Sequence, residues 1–224
     1  MRLRKLWFVD GKRGGRKKDG SSWKQALRKI SYAFEKAGDG DVILVADAKY
    51  LERIDFKGKN VYLLGVAKYR RKGRPVIDCS KYGYAFCFGE KNNYTSVVEN
   101  FMIINGTESE SVKAAVVCKD GASPVIRNCI FWRNRVAIYS EKSAPWIAAC
   151  RFVGNKPGWK NGTVTIVQGS TPVLVNCLFN GNDGVALQVK ARREVIVVNC
   201  TFSNNSRMAV LCDNDARVYL SNCI

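Results

Sequence analysis

The residues of this chain that could do chemistry are carboxylates, cations, aromatics and cysteines, because its 224 residues include no histidine. Without imidazole, a histidine-dependent catalytic triad and a histidine-ligated zinc site are both excluded. The nine cysteines also lack the close Cys-x-x-Cys pairs of many zinc sites, since the two nearest in sequence are Cys79 and Cys87. The remaining options are chemistry or binding through carboxylates, lysines, arginines and aromatic rings.

One loop combines an aromatic residue with cations. Trp159 lies between Lys156 and Lys160 in the segment 155–162, the longest insertion among the repeats described below. Sugar rings stack on exposed Trp side chains, and the neighbouring lysines would attract an anion. These three residues are therefore predicted to bind a ligand. A Trp folded back over the protein is the alternative.

Positive charge is concentrated in the first third of the chain. The formal net charge is +18, and residues 1–74 hold 21 basic and 8 acidic side chains. Such an excess favours polyanions, although solvated loops are an equally good explanation. Two loops carry much of the charge: Lys12, Arg13, Arg16, Lys17 and Lys18, and then Lys68, Arg70, Arg71, Lys72 and Arg74. From the second loop we select Arg70, Arg71, Lys72 and Arg74 as candidate ligand-binding residues.

The elements that position these loops follow from an internal repeat. Five cysteines recur at spacings of 21, 27, 23 and 23: Cys129, Cys150, Cys177, Cys200 and Cys223. Neighbouring columns keep the same register: Phe131, Phe152, Phe179 and Phe202; Asn134, Asn155, Asn182 and Asn205; Asn128, Ala149, Asn176, Asn199 and Asn222; Cys118, Tyr139, Ile166, Val189 and Cys212. Such a period is the signature of a stacked solenoid.

Each repeat contains two β-rich runs separated by a polar turn, for example Val185–Val189 and Val195–Cys200. One repeat cannot bury its apolar side alone, but stacked repeats bury a continuous core and pair each strand with the next coil. We therefore predict an all-β fold, a right-handed parallel β-helix, over residues 41–224. Its cysteines are predicted to be small core residues rather than disulfides, and its asparagines to form turns and ladders.

Residues 1–40 are predicted to hold an N-terminal strand, a basic loop and an amphipathic capping helix. Ser22 and Gln25 form a capping box, an apolar stripe runs from Trp23 to Ala37, and Gly38 ends the helix. A helix lying on a membrane surface is the sharper alternative. No segment is long and apolar enough to span a membrane. At the other end, the sequence stops within a repeat, so we expect missing C-terminal coils or a partner strand at the 218–224 edge.

The residues FVDGKRGGRKKDGSSWKQAL, GDGDVILVADAKY, RPVIDC and the repeated SPVIRNCIF-type units resemble bacterial right-handed parallel β-helix repeat proteins of the pectate-lyase-like superfamily. The resemblance implies the fold over the whole chain and commonly implies polysaccharide as partner. It also implies an extracellular or cell-surface location, although this chain shows no signal peptide.

The same resemblance suggests where catalysis would lie. Calcium-dependent lyases of this superfamily use a carboxylate cluster for the metal and an arginine or lysine as base, and they break uronate glycans by β-elimination. Here Asp213 and Asp215 are the candidate calcium ligands, and Arg192 or Arg193 is the candidate base. Asp residues that only build turns are the favoured alternative.

Two functions therefore follow from the sequence. The first is association with acidic polysaccharide through basic loops, without catalysis, and the second is calcium-dependent polysaccharide lysis. The absence of histidine disfavours a histidine-dependent hydrolase. Nucleic-acid binding rests on charge alone and is ranked last, because no nucleic-acid motif occurs.

Overall fold

The chain winds through three parallel sheets that share one apolar core. The computed structural model describes residues 4–71, 73–109, 112–213 and 215–224. Every coil passes from sheet 1 to sheet 2, then to sheet 3, and back to sheet 1 of the next coil. All strand pairs are parallel, as predicted for a right-handed parallel β-helix.

The described residues form 23 strands, numbered β1 to β23 in chain order. Sheet 1 consists of β1 (Leu6–Val9), β2 (Val42–Ala46), β5 (Tyr62–Val66), β8 (Val97–Glu99), β11 (Val125–Arg127), β14 (Trp146–Ala148), β17 (Val173–Val175), β20 (Glu194–Val198) and β23 (Arg217–Ser221). Sheet 2 consists of β3 (Lys49–Tyr50), β6 (Val76–Asp78), β9 (Met102–Ile104), β12 (Ile130–Trp132), β15 (Arg151–Val153), β18 (Leu178–Asn180) and β21 (Thr201–Ser203). Sheet 3 consists of β4 (Ile54–Asp55), β7 (Phe86–Phe88), β10 (Val116–Cys118), β13 (Ile138–Glu141), β16 (Val164–Val167), β19 (Leu187–Lys190) and β22 (Val210–Cys212).

Each repeat has three strands rather than the two predicted β-rich runs, because a bend at the end of the second run is followed by a further short strand, for example Thr201–Ser203 after the run Val195–Cys200. Asn128, Asn176 and Asn199 have φ values of 52°, 55° and 53°, and each separates a strand of sheet 1 from a strand of sheet 2. This left-handed conformation is accessible to asparagine at low cost. The predicted turn role of this asparagine column is confirmed, and its consequence is a third sheet.

Ladders of identical side chains fill the C-terminal coils. The rings of Phe131, Phe152, Phe179 and Phe202 stack in sequence with centroid separations of 4.9, 4.5 and 4.9 Å. Beside them, the side chain of buried Asn155 donates to the side-chain oxygen of Asn182 at 2.9 Å and accepts from Asn134 at 3.0 Å. These contacts confirm the predicted phenylalanine and asparagine columns.

The cysteines are free thiols, and most are core residues. Six of the nine are buried, two are half-buried and Cys212 is exposed. In the Cys129 column each thiol also donates to a carbonyl two residues earlier, as from Cys150 to Ala148 at 3.4 Å. Burial raises the pKa of Cys79 to about 12, so that thiol stays protonated at neutral pH. The predicted role as small core residues is confirmed for the six buried thiols.

One column is shifted by a residue. Cys118 pairs with Ser140, and Ser140 pairs with Ile166, so Ser140 points into the core and Tyr139 points outward. The placement of Tyr139 in the core column is therefore wrong. The turn from Ser140 to Pro145 is one residue shorter than its counterpart from Cys118 to Pro124. Counting residues back from Cys150 by the offset between Cys118 and Cys129 therefore reaches Tyr139 instead of Ser140.

The N-terminal helix is shorter than predicted. Helix α1 spans Ile30–Lys36 and buries Ile30, Ala33 and Phe34 against the first coil. The backbone of Leu27 is held by Phe8 and Asp10 next to β1, so the chain cannot become helical at Ser22. Gly38 does follow the helix end, but without the left-handed φ of a glycine cap.

Residues of the first coil cap both ends of α1. The Glu52 carboxylate accepts from the backbone N–H of Ile30 at 2.9 Å and of Ser31 at 3.0 Å. The Lys59 ammonium donates to the carbonyls of Phe34 and Ala37 at 2.9 and 3.1 Å. Opposite charges thus complement the two ends of the helix dipole and fix the helix over the N-terminal end of the core.

The far end of the solenoid is more exposed. Tyr219 and Leu220 of β23 and the terminal Ile224 are exposed hydrophobic residues. The expectation of further coils or a partner strand at this edge stays a prediction. Among the described residues, no helix has the length and apolar character needed to cross a membrane.

Candidate functional site

A groove with a volume of about 820 Å³ lies over the outer face of sheet 3. Its wall is formed by connections from sheet 2 to sheet 3, namely residues 105–109, 112–115 and 154–163, together with Arg135 between β12 and β13. Strands β13, β16 and β19 form its floor. We call this concavity the sheet 3 groove. Its lining includes Glu108, Lys113, Arg135, Tyr139, Glu141, Trp159, Lys160, Asn161, Gln168 and Lys190.

The insertion predicted to carry a ligand site packs against the sheet. Thr165 and Gln188 point outward from sheet 3, yet only 0% and 5% of their surfaces are exposed. Thr165 is covered by Gly162, whose N–H donates to its hydroxyl at 3.0 Å. The loop that carries Trp159 is thereby anchored to sheet 3 at Gly162.

Polar contacts tie the two loops together. The Asn161 side chain donates to the Glu108 carboxylate, and the Lys190 ammonium donates to the carbonyl of Lys160. The two loops also approach closely at Gly158, where an added Cβ would lie 3.2 Å from Glu108 Oε2. The same Cβ would lie 3.4 Å from Nη2 of Arg135, which belongs to the connection between β12 and β13. The groove wall is therefore largely preformed.

Two aromatic side chains face this groove. Trp159 is 91% exposed, so the alternative of a Trp folded back over the coil is wrong. Tyr139 projects from β13 on the same face as Glu141. Burial, together with the Glu141 carboxylate, raises the pKa of Tyr139, so its hydroxyl remains a hydrogen-bond donor at neutral pH. Both rings could pack against the apolar face of a sugar.

The charge of the sheet 3 groove is positive. Its lining contains four cations and two carboxylates, namely Lys113, Arg135, Lys160 and Lys190 against Glu108 and Glu141. Lys156 is exposed but is not part of the groove lining. A concave site with excess cations attracts anionic ligands.

The second basic loop lies at a different corner, where sheet 1 passes into sheet 2. Arg70 Nε pairs at 3.1 Å with Asp47, whose side chain is fully buried. Arg74 is half-buried and donates to the carbonyl of Asn128 at 2.8 Å. Arg71 is exposed, and Lys72 lies outside the described residues. Arg70 and Arg74 therefore have structural contacts, and the structure does not bring this loop to Trp159.

The same loop also neutralises a second buried carboxylate. Lys68 Nζ lies 2.5 Å from Asp10, which also accepts from the Tyr69 hydroxyl and from the N–H groups of Lys12 and Arg13. These bonds outweigh desolvation and lower the pKa of Asp10 to about 2. The two basic loops thus meet, with Lys12 Nζ 4.2 Å above the Tyr69 ring.

The candidate lyase residues lie at the third corner, where sheet 3 returns to sheet 1. Arg192, Arg193 and Asp215 line a concavity of about 500 Å³ there. Asp213 is not part of that lining, and its carboxylate accepts a hydrogen bond from Gln188 at 3.0 Å. The arginines therefore meet one of the two predicted calcium ligands.

The donor set at this corner does not fit a calcium ion. Calcium takes six to eight oxygen ligands, usually from several carboxylates. Within residues 4–71, 73–109, 112–213 and 215–224, no three carboxylate or thiol groups are arranged to hold a metal ion.

Sequence reasoning missed most of the groove. It found Trp159 and Lys160 from the long insertion, but it assigned Tyr139 to the core and did not select Glu108, Lys113, Arg135, Glu141 or Lys190. The order Ile138, Tyr139, Ser140 did contain a signal. Successive residues of a strand point to opposite faces, so Tyr139 points outward if Ile138 and Ser140 face the core. Glu108 and Arg135 approach the segment 154–163 only because adjacent coils stack, and no local sequence pattern predicts this approach.

No curated protein matches the chain in sequence. Among solved structures, the chain is similar to a pectin methylesterase from carrot, with 10% identity, a TM-score of 0.56, and coverage of 100% of this chain and 83% of the other. It is also similar to a rhamnogalacturonan lyase, with 14% identity and a TM-score of 0.55 over 97% of this chain. The chain spans 62% of the length of that lyase. At these identities, the likeness shows the fold alone.

The family comparison agrees with the sheets and ladders described above. The family described as a right-handed beta helix region matches residues 91–224, which is more than half of the chain. These residues contain the regular coils with the phenylalanine, cysteine and asparagine columns. The chain therefore belongs to the right-handed β-helix family.

Proposed function

We propose that this protein is an extracellular or cell-surface β-helix protein that binds acidic polysaccharide in the sheet 3 groove. The observation that carries the proposal is Trp159, a 91% exposed aromatic ring at the wall of a groove lined by four cations. An exposed Trp offers a stacking surface for a sugar ring, and the cations select rings that bear a carboxylate. The location is proposed from the resemblance to extracellular β-helix proteins.

The size and charge of the groove support a bound chain rather than a single small ion. Its volume of about 820 Å³ falls within the range of about 300–1,000 Å³ typical of ligand pockets. Cations are distributed over its length, from Lys113 and Arg135 on the connections between sheets 2 and 3 to Lys190 on β19. Two proteins with this fold are named for pectin and rhamnogalacturonan, which is consistent with a glycan ligand.

Binding rather than catalysis is proposed because charged groups of the groove are already engaged in contacts within the fold. Glu108 is already held by Asn161, and Lys190 by the Lys160 carbonyl. These contacts favour a rigid recognition surface. With oligogalacturonate as substrate, we expect no ultraviolet absorbance from unsaturated product, with or without calcium. A rise in that absorbance would contradict the binding-only proposal.

Calorimetric titration with oligogalacturonate tests the aromatic contribution. We expect Trp159→Ala to weaken binding by about tenfold or more, because hot-spot Trp residues commonly contribute at least about 2 kcal/mol. Trp146→Ala is the matched control, since Trp146 is 50% exposed on sheet 1, away from the groove. Equal affinities of wild type and Trp159→Ala would overturn the proposal.

The cations are tested in the same titration. Arg135→Gln and Lys113→Gln should weaken oligogalacturonate binding and reduce its dependence on salt, because charge–charge attraction is screened by ions. Arg151→Gln is the matched control, an exposed arginine on sheet 2. Binding that does not weaken with salt, or that is equal for a neutral glucan, would also overturn the proposal.

A further inference from the structure

Trp159 separates the sheet 3 groove from a second, smaller concavity of about 180 Å³. We call this concavity the side pocket, and its polar or aromatic lining residues are Trp159, Asn161, Asp183 and Arg207. Trp159 and Asn161 line both concavities, so the two are adjacent. Asp183 and Arg207 come from the next two coils and line only the side pocket. The side pocket therefore adjoins the groove at Trp159 and Asn161.

The groups of the side pocket are suited to hydroxyls. Asp183 uses one carboxylate oxygen to accept from the Ser206 hydroxyl at 3.1 Å, and its carboxylate can accept further hydrogen bonds. The Arg207 guanidinium lies 5.9 Å from the centre of the Trp159 ring, at the outer limit of a cation–π contact. An acceptor, a donor and an aromatic ring are thus combined in a space that suits one sugar ring.

The two concavities differ in charge and size. The sheet 3 groove combines four cations with two carboxylates, whereas the side pocket combines one of each, Arg207 and Asp183. The side pocket, at about 180 Å³, is also below the range of about 300–1,000 Å³ for ordinary ligand sites. A uronate in the side pocket would bring its carboxylate close to Asp183, which is unfavourable. A neutral sugar would not.

We propose that the side pocket binds one neutral sugar adjacent to the uronates in the groove, so that the ligand is a mixed acidic polysaccharide rather than a polyuronate. This inference rests on the proposed function of the groove. Neighbouring hydroxyls of the neutral sugar donate to Asp183 and accept from Arg207, while its apolar face packs against Trp159. Asp183 is then a specificity-determining residue that both attracts a neutral ring and repels an acidic one.

The test compares two oligosaccharides of equal length by calorimetry: oligogalacturonate and an alternating galacturonate–rhamnose chain. We expect wild-type protein to bind the alternating chain about tenfold more tightly, as one hydrogen bond to a charged group can provide. Asp183→Ala should lose this preference and bind oligogalacturonate at least as well as wild type. Glu90→Ala is the matched control, because Glu90 is an exposed carboxylate in a turn before β8.

The outcomes separate this inference from the proposed function. Equal wild-type affinities for the two chains, or a preference that Asp183→Ala leaves unchanged, would overturn the side-pocket proposal while binding of oligogalacturonate still supports the groove. Failure of wild type to bind either chain would overturn the proposed function itself. Asp183→Asn, which keeps the shape of the side chain, should remove the repulsion and bind oligogalacturonate more tightly than wild type. Unchanged binding by this variant would also contradict the inference.

Discussion

The C-terminal coils and the N-terminal segment are held together in different ways. From residue 112 onward, the coils repeat the same side chains in the same columns, and Phe152 and Asn155 contact their equivalents in adjacent coils. Before that, buried carboxylates form contacts that occur once, such as Asp10 with Lys68 and Asp47 with Arg70. The first region is stabilised by repetition and the second by individual polar contacts.

This difference explains why the charges of the basic loops and of the groove lie in different environments. In the N-terminal segment, Lys68 and Arg70 neutralise fully buried carboxylates, so much of their charge is used within the fold. In the C-terminal coils, the ladders need no charged groups, so cations such as Lys113 and Arg135 remain available to line a groove. Positive charge in the sequence was therefore a poor guide to the surface that we propose for binding.

The largest expected effect concerns the phenylalanine ladder. Phe152 is fully buried between two stacked rings, so Phe152→Ala should lower the free energy of unfolding by about 3–5 kcal/mol. Denaturant unfolding followed by circular dichroism measures this change. Trp146→Ala, on the outer face of sheet 1, should cost far less. A similar cost for both variants would remove the ladder as the main source of stability in this region.

The asparagine ladder should give the next largest effect. Asn155→Ala removes an acceptor for the backbone N–H of Asn134 and a donor to the carbonyl of Phe131, both at 3.0 Å and both buried. We expect a loss of about 3 kcal/mol in the same unfolding measurement, because buried unsatisfied groups cost about 1–3 kcal/mol each. Asn205→Ala should cost less, since Asn205 is partly exposed and water can replace its contacts. Equal costs would contradict this ranking.

A pH titration tests the polar contacts of the N-terminal segment. The pKa of Asp10 is about 2 in the folded protein against an ordinary value of 3.8, so its contribution is present above pH 3.8 and is lost as pH falls toward 2. This contribution is about 2 kcal/mol. In Asp10→Asn, we expect stability to fall less between pH 5 and pH 2 than in wild type. Asp120→Asn, an exposed control, should keep the wild-type profile.

The helix caps should give the smallest of these effects. Glu52→Ala removes the carboxylate that accepts from Ile30 and Ser31, and we expect a cost of about 1–2 kcal/mol. Ser22→Ala should change stability by less than about 0.5 kcal/mol, because Ser22 caps a turn and not the helix. Thermal unfolding of the two variants compares them directly. A larger loss in Ser22→Ala would restore the helix start predicted from sequence.

The sequence was sufficient to predict the fold but only part of the site. The column of Phe131 and its equivalents gave the register of sheet 2, because identical side chains stack when coils are in register. The third sheet was missed because a single left-handed residue redirects the backbone without a change in composition. The position of Tyr139 was missed because a turn shorter by one residue shifts the register of the following columns. Glu108 and Asn161 are 53 residues apart, and their contact depends on two loops that no local pattern relates.

Hydroxyl-radical footprinting with an acidic oligosaccharide tests the central claim most directly. Bound ligand should protect Trp159 and Tyr139 from oxidation, because both line the sheet 3 groove. Trp146 and Tyr219, which are 50% and 53% exposed on sheet 1, should react equally with and without ligand. Mass spectrometry of peptides covering these four residues gives the answer. Protection of Trp146 and Tyr219 with full reactivity at Trp159 would contradict the assignment of the groove.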